Sequence, residues 1–83
     1  MKIIDVGSPN LYKNNHINGS INIPYEILIN NYRKYLNKQD TYYLYCQSGK
    51  LSKRAVIILS AIGYNVKLYM NKWFCSKILI KVI

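Results

Sequence analysis

The chain has 83 residues, 51% of them hydrophobic, and carries twelve Lys and Arg against three acids, for a formal charge of +9. That suffices for one small domain, residues 1–83, and not for two, and so apolar a chain is not intrinsically disordered. No apolar run approaches the ~20 residues a membrane span needs, and the positive balance suits an anionic partner without bearing on the fold.

The start MKIIDVGSPN has no long apolar stretch and no small-residue cleavage site, so no export signal is expected. The two cysteines, Cys46 and Cys75, are therefore read as free thiols in a reducing compartment, the cytoplasm. Lys2–Val6 (KIIDV) is a short apolar run stopped by Gly7, Ser8 and Pro9, which predicts a buried strand with an acid at its end. Residues 8–15 are polar and turn-rich, with room for one helical turn. Ile21 and Ile23 alternate with polar neighbours before Pro24, which predicts a short strand over Ser20–Ile23.

Pro24 then opens a predicted helix, with Ile27, Leu28, Tyr32, Tyr35 and Leu36 at three- and four-residue steps. Asn37–Asp40 is a turn, and Thr41–Tyr45 (TYYLY) is the clearest strand, being β-branched and aromatic. After the interruption CQSGK, the residues Leu51, Ala55, Ile58, Leu59 and Ile62 mark a helical face widened by Val56 and Ile57, and Gly63 ends it. Asn65–Met70 reads as a last strand. The tail from Asn71 to Ile83 fits either a helix or an alternating strand. Strands alternating with helices predict an α/β domain with a small parallel sheet flanked by helices. In such sheets ligands sit beyond the carboxyl ends of the strands, where Cys46 falls.

A thiol is a weak nucleophile until it loses its proton. Cys46 begins a loop feeding a helix N-terminus, whose free N–H groups and dipole favour negative charge. Gly49 lets that loop curl into a nest of inward amides. Lys50, Lys53 and Arg54 add positive charge, and Ser48 and Ser52 add hydroxyls for an anion or a cap. A cysteine at a strand end also serves simply as a small buried apolar group, so spacing alone leaves both readings open.

Four stretches carry a family resemblance. Ile4–Val6 resembles an opening aspartate strand, and His16–Pro24 (HINGSINIP) resembles the segment GHIPGAINIP. Tyr45–Ser52 (YCQSGKLS) resembles the loop Y-C-x-S-G-x-R-S, and Ala55 through Val66 resembles the helix and GY-x-V turn that follow it. In this order they resemble a single-domain rhodanese, a sulfurtransferase fold, over roughly residues 3–70. The resemblance implies that Cys46 is the nucleophile. It would take sulfane sulfur from thiosulfate, a small anionic donor, or from a protein persulfide, and pass it to a thiol or sulfur-carrier acceptor. The amides of Gln47, Ser48, Gly49, Lys50 and Leu51 would hold the persulfide, Ser52 would add its hydroxyl, and Lys50 would assist an anionic donor. No metal and no cofactor is implied, no membrane partner, and no nucleic acid, because no RNA-binding signature is present. His16 belongs to the fold-forming turn in this pattern and Asp5 is a backbone acceptor; Cys75 has no partner at metal spacing.

The sequence departs from that family in four places. Leu51 stands where many members carry Arg, Gly7 replaces an Arg after the aspartate-valine pair, and paired glycines before Trp73 are missing. By the same resemblance, the strand and helix usual before the aspartate strand are expected to be lacking, which would leave a sheet edge uncovered. A cysteine phosphatase would need its clamping arginine at the position of Ser52, two residues before Arg54. The alternative of another class is a non-catalytic module that keeps the fold and binds an anionic or protein partner.

Overall fold

A computed structural model of the chain describes residues 1–69. The expectations for Met70, the tail, the turn before Trp73 and Cys75 lie outside the described residues. The chain runs β1 (Lys2–Asp5), α1 (Pro9–Asn14), β2 (Ile21–Asn22), α2 (Tyr25–Asn30), α3 (Tyr32–Tyr35), β3 (Thr41–Tyr45), α4 (Lys50–Ile62) and β4 (Asn65–Leu68). The four strands form one parallel sheet in the order β2-β1-β3-β4.

β1 sits inside the sheet, with β2 on one side and β3 on the other. The chain therefore leaves β1 in one direction and leaves β3 in the opposite one. That reversal is a switch point, and it opens a crevice at the carboxyl ends of β1 and β3. Val6 N–H donates to the Tyr45 carbonyl at 2.8 Å, which holds the two strand ends together there.

The pleat assigns the faces. Ile4 and Val6, Tyr42, Leu44 and Cys46, and Val66 alternate onto one face, where they pack with Leu28, Leu36, Ala55 and Leu59 from the helical layer. Each fully buried Leu or Ile here contributes about 1.5–3 kcal/mol by leaving water. Ile3, Asp5, Tyr43 and Tyr45 point to the other face, where both tyrosines are half-buried.

Two expectations change. The single helix predicted after Pro24 is two, broken at Asn31 (φ −137°, ψ 32°). The Asn31 side chain donates to the Ile27 carbonyl at 2.9 Å, a local bond that competes with the helix ladder. Ile27 and Tyr35 consequently face solvent. In α4 the buried stripe is Ser52, Ala55 and Leu59, whereas Ile57 is 70% exposed and Ile62 also faces water. α4 packs on β3, β4 and α2, which cover a narrower arc than the run of apolar residues would fill.

Candidate functional site

The site is built where β3 hands over to α4. The β3 pleat brings Cys46 to the helix-covered face at the carboxyl edge of the sheet, where it is 5% exposed. Gln47 and Ser48 are exposed at the loop tip. Gly49 takes φ +82°, a left-handed conformation that favours glycine, and turns the chain into α4. Lys50 is exposed and Leu51 half-buried against the core. Ser52, the third residue of α4, is buried.

A helix start leaves its first N–H groups without intrahelical partners. At α4 the cap residue, Gly49, has no side chain to satisfy them. The Ser52 N–H instead donates to Cys46 Sγ at 3.4 Å. Lys50 N–H donates to Ser48 Oγ at 3.3 Å. The sulfur therefore does the work of a cap, with the positive end of a 13-residue helix aimed at it.

Two hydroxyls complete the cup. Ser48 Oγ lies 3.9 Å from Sγ and Ser52 Oγ lies 3.5 Å from it. Ser52 Oγ also donates to the Gly49 carbonyl at 3.2 Å. A hydroxyl has one hydrogen. With a neutral thiol, Sγ–H donates to Ser52 Oγ and the hydroxyl donates to Gly49. With a thiolate, the Ser52 hydroxyl turns onto the sulfur and gives up the carbonyl. Burial pushes the Cys46 thiol up, but the hydroxyl and N–H of Ser52, the Ser48 hydroxyl and the Gly49 N–H together hold it below the ordinary cysteine range. No lysine or arginine takes part in that balance among the described residues.

The neighbouring junction, β1 to α1, frames the other side of the crevice. Asp5 Oδ1 accepts from Gly7 N–H at 2.8 Å. Burial raises the Asp5 carboxyl above its usual value against the pull of that bond and of His16. Asn22 Nδ2 donates to the carbonyls of Asp5 (2.8 Å) and Gly7 (3.0 Å) and pins the turn. Sequence reasoning did not single out Asn22, and its only signal is its place in the INIP segment. Tyr45 is raised by burial and by the nearby negative charges of Asp5 and Cys46. His16 is exposed, stacked on Tyr12 at 3.9 Å, with its Nδ1 on the Tyr12 carbonyl, and it anchors the turn. The described residues contain no cluster of metal-ligating side chains.

An anion-stabilised sulfur at a strand-to-helix junction can attack an electrophilic sulfur and hold the charge that results. Known proteins carry the same arrangement of elements. The rhodanese-like domain pattern matches residues 1–74. The chain is 39% identical over 62 residues to the thiosulfate sulfurtransferase PspE of Escherichia coli strain K12, covering 74% of this chain. It spans 60% of that relative's length. Among solved structures, a rhodanese-related protein from Thermoplasma volcanium superposes with a TM-score of 0.78 at 28% identity, over 92% of this chain and 77% of that one. Reduced CoADR-RHD of Bacillus anthracis superposes with a TM-score of 0.75 at 33% identity, over 87% of this chain and 13% of that one.

Proposed function

The chain belongs to the rhodanese-like family, and we propose that it is a sulfurtransferase that works through a persulfide on Cys46. The observation that carries this reading is the Ser52 N–H on Cys46 Sγ at 3.4 Å, where an oxygen cap would otherwise sit. The Cys46 thiolate attacks the outer sulfur of thiosulfate or of a protein persulfide. The donor's S–S bond breaks, and sulfite or the donor thiolate leaves. The new persulfide keeps its negative charge beside the Ser52 and Gly49 N–H groups and the serine hydroxyls, neutral donors that lose little to reorganisation in a water-poor cup. A thiol or sulfur-carrier acceptor then attacks the outer sulfur and restores the Cys46 thiolate. Gln47 and Lys50 form the exposed rim that a donor meets first, and Leu51 closes the loop onto the core. A free thiolate nucleophile suits a reducing compartment, in keeping with a cytoplasmic site of action.

Incubation with a persulfide donor followed by intact-mass measurement tests the reading. It predicts an adduct of about 32 Da, one sulfur, on the wild type and none on Cys46→Ala. A wild type that takes no sulfur, yet binds a polyanion with salt-sensitive affinity, overturns it in favour of the non-catalytic module.

A further inference from the structure

One face of α4 is used neither by the core nor by the sulfur. The helix buries Ser52, Ala55 and Leu59. With 3.6 residues to a turn, the opposite stripe is Lys50, Lys53, Arg54, Ile57 and Ala61, and every one of these faces solvent. Ile57 lies at the centre of the stripe and is 70% exposed. The stripe starts at the rim of the Cys46 loop and runs back along the sheet, about 10 Å from Lys50 to Ile57.

The charge of this stripe has one sign, and the chain does not balance it. The acids are Asp5, Glu26 and Asp40, and residues 41–83 contain none. Asp5 is buried on the Gly7 N–H, and Asp40 lies 3.6 Å from Lys2. Among the described residues no acid forms an ion pair with α4. The charged side chains of residues 70–83 are all lysines, so they add to the positive balance wherever they lie. The first turn of α4 holds no acid either, and Lys50 and Lys53 stand there against the helix dipole. The fold is destabilised by cations in that turn, and it leaves the apolar area of Ile57 in water.

We propose that the exposed face of α4 docks an acidic protein surface that presents an aliphatic side chain to Ile57. A small anion would touch the rim alone and leave Ile57 in water. A nucleic acid would match the charge, but the stripe offers bases no aromatic ring and no amide, and its centre is apolar. An acidic protein surface meets both demands. Its carboxylates pair with Lys53 and Arg54, and its aliphatic residue takes Ile57 out of water. A partner seated on this stripe overhangs the rim of the crevice, which brings its reacting group to Cys46. That use of the docked partner rests on the sulfurtransferase reading of Cys46, whereas the binding itself does not.

An unbiased library of short peptides displayed on phage, selected against the full chain, supplies the probes. The expected peptides carry several Asp or Glu around an aliphatic residue. Fluorescence anisotropy of the synthesised peptides should show binding that weakens with added salt. Ile57→Ser should weaken it about tenfold by removing the apolar contact. Lys53→Glu combined with Arg54→Glu should weaken it by more than about tenfold, since it sets like charges against the peptide. Both changes lie on the solvent face, and acids near the start of α4 agree with its dipole, so the variants keep the fold. Sulfur loading of Ile57→Ser from glutathione persulfide, a small donor, should match wild type, which separates lost docking from lost chemistry. Selected peptides without acids overturn the proposal, as do acidic peptides that bind both variants as tightly as wild type. A single-stranded oligonucleotide that binds more tightly than every peptide overturns it in favour of nucleic acid. A chain that selects the expected peptides yet takes up no sulfur supports the docking face and overturns the Cys46 reading.

Discussion

Two strand-to-helix junctions leave the same edge of the sheet, and they cap their helices differently. At β1–α1, Ser8 is the cap residue, and its Oγ accepts from Leu11 N–H at 3.3 Å, the third amide of the helix. At β3–α4 the cap residue is Gly49, and the equivalent third amide, that of Ser52, goes to a cysteine three residues further back. In the first junction the orphan amide is consumed by an ordinary hydroxyl, and the loop is structural. In the second the cap is withheld, and the amide becomes a fixed donor for a sulfur that can change its charge. A helix N-terminus thus becomes chemical only where the local sequence declines to cap it.

The comparison breaks most visibly at Cys46. Both Cys46→Ala and Cys46→Ser should abolish sulfur loading, but they should differ in stability. Alanine leaves the buried Ser52 N–H without an acceptor, a cost of about 1–3 kcal/mol, whereas the serine oxygen replaces the sulfur as a cap and recovers most of it. Urea titration of the two variants beside wild type measures the gap, and equal stabilities would mean that the sulfur is not acting as a cap.

Ser52→Ala sharpens the same point by keeping the N–H and removing the hydroxyl. The thiolate loses one of the donors that outweigh burial, so its pKa rises. The rate of loading follows the thiolate fraction: it rises with pH through the thiol pKa and then levels off. In wild type the plateau therefore extends to lower pH than for an ordinary cysteine, and in Ser52→Ala the whole curve moves to higher pH. Below both pKa values the variant should be roughly three- to tenfold slower if its curve moves by about one pH unit, since the thiolate it retains is more nucleophilic. Thiolate ultraviolet absorbance against pH checks the direction independently of turnover. Gly49→Ala comes next in size. An added methyl meets nothing within 4 Å, so the cost is the left-handed backbone alone, about 1–2 kcal/mol in the same urea titration.

The strands and α4 were legible in the sequence because their signals are local. TYYLY could hardly be anything but a strand, and Gly63 takes the left-handed cap (φ +110°) expected of it. The break at Asn31 was hidden because the apolar spacing runs through it undisturbed, and a side-chain bond decides the matter. The buried face of α4 stops short of Ile57 although the apolar pattern includes it, because β-branched apolar residues continue beyond the arc that the sheet covers. The loop CQSGK marked the position of the site, but its wiring was not local. The family resemblance implies the amides up to Leu51, whereas the fold keeps that of Gly49 on the sulfur, adds that of Ser52 and spends that of Lys50 on Ser48. The meeting of Asp5, Gly7 and Cys46 depends on β1 pairing with β3, some forty residues apart, and no spacing rule reports such a contact.

The smallest predicted effect tests the control side of the comparison. Ser8→Ala removes the oxygen that caps α1 and exposes the Leu11 N–H to water. The bond is long and solvent-exposed, and α1 has only six residues with none buried, so the loss should be about 0.5–1 kcal/mol, at the low end for a cap. Loading at Cys46 should match wild type, because Ser8 donates nothing to the sulfur and the turn between it and β1 is pinned separately by Asn22 on the Asp5 and Gly7 carbonyls. Intact-mass kinetics on the purified variant decide the issue. A slowed Ser8→Ala protein would mean that the α1 cap steers Gly7 and hence the crevice, and the two junctions would then be one coupled device rather than a structural cap beside a chemical one.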